Sequence, residues 1–360
     1  MTRLHELFDV GAQSPWLDNV RRDWLRDGTM RHLVDQGIRG VTSNPTIFAK
    51  ALQATSDYDD QLAAVAAMSP EDAFVELAGQ DIAETAALLG PVHDTSDGAD
   101  GFVSFEVSPT LAHDTDATVV AARAISRRLD LRNLLVKVPA TAAGLPAIRT
   151  LIGEGISVNV TLIFGLSRYG EVIDAFLDGL EIAKGAGRDL HAISSVASFF
   201  VSRVDTEVDS RLEKSGAPAA LHGRAAVAQA VLAYQLFESR FGDERFIALD
   251  RAGARPQRPL WASTSTKNPA YDDLLYVDSL IGPHTVNTMP EGTIAAFLDH
   301  GTVARTIDAD VDGARATVEA IEAAGVSMAE VANVLEDQGV GSFADSYAAL
   351  LRTIEDKRRS

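Results

Sequence analysis

The sequence predicts a closed (β/α)8 barrel carrying extra helices. Eight short apolar runs recur along the 360 residues. Alanine-rich stretches with helical spacing separate them. Polar residues stand at the late end of every run. Strand and helix in alternation imply parallel strands joined by crossovers, and such units repeated around a ring make a barrel.

The first strand is expected over Pro15–Asn19 and reaches Asp18. A helix-like run begins near Val20, so Asp18 could also act as an N-cap. The second strand, Gly37–Ser43, ends in Thr42 and Ser43, followed by Asn44. A long connection, Asn44–Asp100, reads as two helices, Tyr58–Met68 and Glu71–Leu89. The third strand, Gly101–Val107, reaches Glu106, and a helix follows over Asp116–Leu129. The fourth, Asn133–Val138, carries Lys137 and leads to a helix over Ala143–Glu154. The fifth, Ile156–Phe164, carries Asn159 and Thr161 and leads to a helix over Ser167–Ala186. The sixth, Ala192–Phe200, carries Ser198, and a second long connection follows over Asp205–Arg258. The seventh, Pro259–Thr264, runs into Ser265, Thr266 and Lys267; the eighth, His284–Met289, has Thr285 and Asn287. C-terminal helices are expected near Ala314–Ala324 and Ser342–Lys357. A plain barrel takes about 250 residues. The surplus lies in the two long connections and after Met289, so residues 1–360 read as one domain with residues of about 290–360 packed on the barrel.

Composition excludes several classes. Thirty-two basic against 51 acidic residues give a net charge of −19. Such a field repels nucleic acids and anionic membranes, so neither is expected as a partner. An anionic substrate would need a few cations placed to hold it locally. No apolar run approaches the ~20 residues that span a bilayer. The N-terminus MTRLHELFDV has no signal-peptide core, so a cytoplasmic location is expected. Cysteine is absent, which removes disulfides, thiolate metal sites and cysteine nucleophiles. The 8 histidines lack metal-ligand spacing, and no phosphate-cradling glycine motif follows any strand. Homo-oligomer formation stays open.

Alternation assigns the faces. In the fourth strand Leu134, Val136 and Val138 oppose Lys137; the apolar face belongs against helices, so Lys137 points into the barrel. By the same rule Ser104 and Glu106 point inward, as do Ser157, Asn159 and Thr161. Lysine is rare, at positions 50, 137, 184, 214, 267 and 357 alone. A lysine in a buried strand loses hydration, which lowers its pKa from about 10.4 and favours the neutral amine. That amine can attack a carbonyl and form a Schiff base. The competing reading is a lysine that snorkels to water or pairs with a carboxylate. Asp18 and Glu106 are candidates for the proton transfers such chemistry needs, or else satisfied ion-pair or cap partners. Arg203 and Lys267 are candidates for binding a phosphate, with hydroxyls from Ser263 to Thr266 beside the lysine, or else solvated surface charges.

Six segments extend this reading. They are Val41-Thr-Ser-Asn-Pro-Thr-Ile-Phe48, Val103-Ser-Phe-Glu-Val107 with Asp114, and Leu134-Leu-Val-Lys-Val-Pro139, then Val158-Asn-Val-Thr-Leu-Ile-Phe164, Ala197-Ser-Phe-Phe-Val-Ser-Arg203 and Trp261-Ala-Ser-Thr-Ser-Thr-Lys-Asn-Pro269. In this order, and across nearly the whole chain, the set resembles the transaldolase family in its actinobacterial form. The resemblance implies a transferase of the non-oxidative pentose phosphate pathway. It would move a dihydroxyacetone unit from sedoheptulose 7-phosphate or fructose 6-phosphate to glyceraldehyde 3-phosphate or erythrose 4-phosphate. Lys137 would form the Schiff base, and Glu106 would act through a water that Thr161 helps to hold. Asp18 would take the proton from the C4 hydroxyl as the C3–C4 bond breaks. Asn44 and Asn159 would bind donor hydroxyls, with Ser43 in the same substrate-binding set. Ser198, Arg203 and Lys267 would hold the phosphate, although enterobacterial-type members carry arginine where Lys267 stands, with different spacing. The lysine is the electron sink, so no metal or organic cofactor is implied. Two rivals remain: another lysine-dependent barrel aldolase, which would release free dihydroxyacetone, and a non-catalytic sugar-phosphate-binding barrel.

Overall fold

The computed structural model describes residues 1–359. Its eight strands are β1 (Gln13–Leu17), β2 (Gly40–Val41), β3 (Phe102–Glu106), β4 (Leu134–Pro139), β5 (Val158–Ile163), β6 (Ser195–Phe200), β7 (Arg258–Ala262) and β8 (Thr285–Met289). They close in sequence order, each parallel to the next, with β8 pairing back onto β1. The barrel is the predicted one. The strands are buried on both faces, as parallel strands enclosed by helices must be. Gly40 has a local reason: a Cβ there would sit 2.3 Å from the Trp16 indole, so only glycine lets that ring lie across β2.

The helices between β3 and β6 match expectation within two residues, at Thr115–Leu129, Gly144–Gly153 and Leu166–Gly185. The connections differ more. The first long connection also holds a helix over Pro45–Ala54, capped by the Asn44 side chain. Its longest helix runs over Pro70–Thr95, past the expected end at Leu89. A clasp ties this connection down: buried Arg22 donates to Asp81 at 2.7 Å, and the Tyr58 hydroxyl donates to the same carboxylate at 2.7 Å. The first helix after β1 starts at Arg22, so Asp18 caps nothing. The expected C-terminal helix Ser342–Lys357 begins fourteen residues earlier and spans Met328–Arg359. No helix among the described residues is long and apolar enough to cross a membrane.

Candidate active site

At the C-terminal end of the strands lies a cavity of about 200 Å³. Asp18, Asn44, Lys137, Thr161, Ser198, Arg203 and Lys267 all line it, so seven residues predicted from six different strands or their following loops converge on one space. Register explains part of this. Glu106 pairs with Lys137 and Lys137 with Asn159, so three polar side chains sit at one level on β3, β4 and β5.

Lys137 is 5% exposed. Its Nζ donates to the carbonyl of Ser43 at 3.1 Å. The Glu106 carboxylate approaches at 3.9 Å, too far for a hydrogen bond. Glu106 lies beneath the cavity wall, and its Oε2 has no hydrogen-bond partner among the described residues; the Thr161 hydroxyl is likewise buried and without a hydrogen bond. Buried orphans of this kind call for a bridging water. Burial pushes the Glu106 carboxyl up to about 7, with Asp18 adding to the rise and Lys137 opposing it. Thr161 stands where β5 departs from regularity. The register with β6 shifts between Val160 and Ile163, and Leu162 has φ of 61°. A branched residue in that region costs about 1–3 kcal/mol and is held there by its surroundings.

Asp18 follows β1 at the cavity edge. Thr42 Oγ1 donates to its carboxylate at 2.8 Å. Thr42 thereby commits its one proton, so the Thr288 hydroxyl, 2.7 Å away, must donate to Thr42. Burial raises the Asp18 carboxyl above its ordinary range, while Lys137, Thr42 and Lys267 oppose the rise. Two carboxyls with different partners flank one amine, an arrangement suited to dividing proton transfers.

The mouth is cationic. Arg203 lies over the Phe200 ring, 5.6 Å from its centroid, and Lys267 donates to Ser265 at 2.5 Å. Neither makes an ion pair among the described residues. Burial lowers the Arg203 pKa. Burial and the Arg203 charge lower that of Lys267, against the pull of Asp18. In a chain of net charge −19, two adjacent cations without an ion pair make a local patch suited to an anion.

Besides Glu106, two predicted residues stay behind the wall. Ser43 is fully buried, with its hydroxyl on the carbonyl of Ser104 and its own carbonyl on the lysine. Asn159 is also fully buried; it donates to Ser104 at 3.0 Å and accepts from Ser198 at 2.7 Å. Both amide ends are engaged within the protein. On β8 the residue that reaches the cavity is Thr288; Asn287 instead donates to the carbonyl of Tyr276. Ser263 and Ser265 of the hydroxyl-rich loop also line the space, whereas sequence reading missed Phe200 and Phe343. Phe200 lies inside a motif already singled out; Phe343 comes from the C-terminal helix, and only the tertiary fold brings it there.

Comparison with known proteins gives the family. A family model described as Transaldolase/Fructose-6-phosphate aldolase matches residues 15–354. The chain is 52% identical over 354 residues to a protein of Thermobifida fusca named Transaldolase, covering 97% of this chain and 96% of that one. It is 49% identical to one named Transaldolase 2 from Streptomyces coelicolor, covering 98% and 96%. A protein named Transaldolase from Acidothermus cellulolyticus is 49% identical over 99% of this chain and 98% of its own length.

Proposed function

The chain belongs to the transaldolase/fructose-6-phosphate aldolase family and acts as a transaldolase, and we propose that Lys137 is the lysine that carries the transferred unit as a Schiff base. The observation that carries this reading is the setting of Lys137: a buried amine facing a carboxyl poised near neutrality, at the base of a cavity with a cationic mouth.

The steps follow from the residues. Lys137 Nζ attacks C2 of a ketose phosphate, either sedoheptulose 7-phosphate or fructose 6-phosphate. Loss of water gives the iminium, with protons handled by Glu106 through a water shared with Thr161; the two orphaned oxygens support that bridge. Asp18 takes the C4 hydroxyl proton. The C3–C4 bond breaks, and its electrons pass into the iminium to form an enamine. The aldose phosphate departs. A new aldose phosphate, glyceraldehyde 3-phosphate or erythrose 4-phosphate, then enters and the steps reverse. Arg203, Lys267 and Ser198 bind the phosphate, where a guanidinium can engage two oxygens at once. Asn44 binds a donor hydroxyl. Ser43 and Asn159 act one step back, holding Lys137 and Ser198 in place.

The test separates transfer from simple cleavage. Fructose 6-phosphate and erythrose 4-phosphate should yield sedoheptulose 7-phosphate and glyceraldehyde 3-phosphate with little free dihydroxyacetone. If dihydroxyacetone accumulates in step with glyceraldehyde 3-phosphate, the protein is an aldolase.

A further inference from the structure

We infer that Tyr271 and Asp209 are positioning residues for the substrate phosphate: their hydrogen bond holds the loop that carries Lys267 against the helix that carries Arg203, so that one phosphate meets both cations. This rests on the phosphate-binding reading of Arg203 and Lys267.

The two cations come from different segments. Arg203 is the second residue of the helix Ser202–Ser215, which follows β6. Lys267 lies beyond β7, in a loop exposed from Lys267 to Ala270. Exposed loops are ordinarily the mobile part of a fold. Two donors that share one phosphate need a fixed spacing. The loop therefore has to be tied to the helix.

One face of the helix supplies the ties. Ser202, Asp205 and Asp209 are spaced three and four residues apart, so they line the same side. At the root, the hydroxyls of Ser202 and Ser263 lie 2.9 Å apart. The Tyr276 hydroxyl donates to Asp205 at 2.7 Å, and the Tyr271 hydroxyl donates to Asp209 at 2.7 Å. The outer of these bonds reaches the lysine. Thr266, next to Lys267, donates to the carbonyl of Asp272, next to Tyr271, at 2.8 Å.

Both carboxylates are anchored on their other side. Asp205 accepts from the amide of Ala226 at 2.8 Å and Asp209 from that of Gly223 at 2.9 Å. The helix Ala225–Phe241 has no side-chain cap of its own, so Asp205 satisfies one of its free amides from outside. Gly223 has φ of 68° and lies against the Tyr271 ring, where a Cβ would meet the ring at 2.6 Å. Each carboxylate thus has both oxygens taken by a hydroxyl and an amide, and neither draws the Arg203 guanidinium away from the cavity. Asp205 and Tyr276 are fully buried, whereas Tyr271 is half-buried. Loss of the outer bond therefore frees the loop without emptying the core.

The experiment compares Tyr271→Phe and Asp209→Asn with the unmodified protein and with Arg203→Ala. The first removes one hydroxyl and keeps the ring against Gly223; the second turns a charge-assisted bond into a neutral one at nearly constant shape. Sedoheptulose 7-phosphate at saturation is the donor. Glyceraldehyde 3-phosphate and glyceraldehyde are the acceptors, differing only in the phosphate. Inhibition by inorganic phosphate reads binding without chemistry, and thermal unfolding identifies the folded variants. In each, kcat/KM for glyceraldehyde 3-phosphate should fall at least ~5-fold through KM, phosphate should inhibit at least ~5-fold more weakly, and glyceraldehyde should stay within about twofold. A bond that serves folding alone would lower stability and leave both the ratio between acceptors and the phosphate inhibition unchanged. That result in a folded variant, or failure of both variants to fold, overturns the inference. If Arg203→Ala separates the two acceptors and Tyr271→Phe does not, the inference alone falls. If Arg203→Ala does not separate them, the phosphate reading falls and the inference with it.

Discussion

The two ends of the barrel use the same residue types to opposite effect. At the N-terminal end, Asp100 accepts from Trp16 at 2.8 Å, from Arg39 at 2.9 Å and from the Ser14 hydroxyl, while Arg258 approaches at 3.4 Å and donates to Ser14 at 2.8 Å. Aspartate, arginine and serine there complete one another. At the C-terminal end Asp18 has a single hydroxyl partner, Glu106 and Thr161 each keep an oxygen without a hydrogen bond, and Arg203 and Lys267 share a mouth where neither makes an ion pair. Residue identity thus says little about role. What separates a structural charge from a reactive one is whether the protein itself satisfies it.

The largest effect expected from breaking this contrast is at Asp18. Asp18→Ala removes a base at the bond that breaks, and kcat should fall by about 10²–10⁴. Borohydride trapping should still succeed with a ketose donor, because adduct formation precedes the step Asp18 serves. Loss of trapping would give Asp18 an earlier role.

Asp100→Ala strikes the satisfied end. Arg39 and Arg258 lose their shared carboxylate, but both reach solvent, so the cost should fall at or below the lower end of the range for broken buried pairs, roughly 2–3 kcal/mol. Urea unfolding reads that loss. The kcat/KM of the folded fraction should stay within about twofold of the unmodified value. A large fall would show that the two ends are coupled.

Arg203→Ala should cost a charge-assisted contact of roughly 1.5–3 kcal/mol, about 10- to 150-fold in kcat/KM for phosphorylated acceptors. With glyceraldehyde the loss should be far smaller. Equal losses for both acceptors would make Arg203 structural. Lys267→Ala, measured in the same way, tells whether the two cations share the phosphate.

The smallest effect is in pH dependence. Burial raises the Glu106 carboxyl from 4.5 to about 7 in the folded state. Between those values the native protein holds more protons at this site than the unfolded chain, so the site loses stability as pH rises through the window. Glu106→Gln abolishes that penalty. The melting temperature of the variant relative to the unmodified protein should therefore be higher at pH 8 than at pH 5. A difference that does not change with pH would mean that Glu106 is ionised throughout.

Much of this contrast was legible in the sequence. The strands carry continuous apolar runs bounded by turn residues, so all eight were found. Alternation along β3, β4 and β5 turned Glu106, Lys137 and Thr161 inward because each strand has one face that only helices can cover. What the sequence does not carry is set by tertiary contacts. Nothing local distinguishes the Ser43 hydroxyl, turned toward the carbonyl of Ser104, from one open to substrate. Asn159 looks free until Ser104 and Ser198 are seen to take both ends of its amide. The irregularity at Leu162 and the start of the C-terminal helix at Met328 are set by packing. Phe343 reaches Lys137 across more than two hundred residues of sequence, where no periodicity carries a signal.

The chemistry assigned to the C-terminal end depends on one nitrogen. Borohydride reduction in the presence of fructose 6-phosphate, followed by peptide mass mapping, tests it most directly. A reduced dihydroxyacetone unit is expected on Lys137 and on none of the other lysines, with Lys137→Met folded and unlabelled. A label on Lys50 or Lys267, or no label at all, would contradict the assignment.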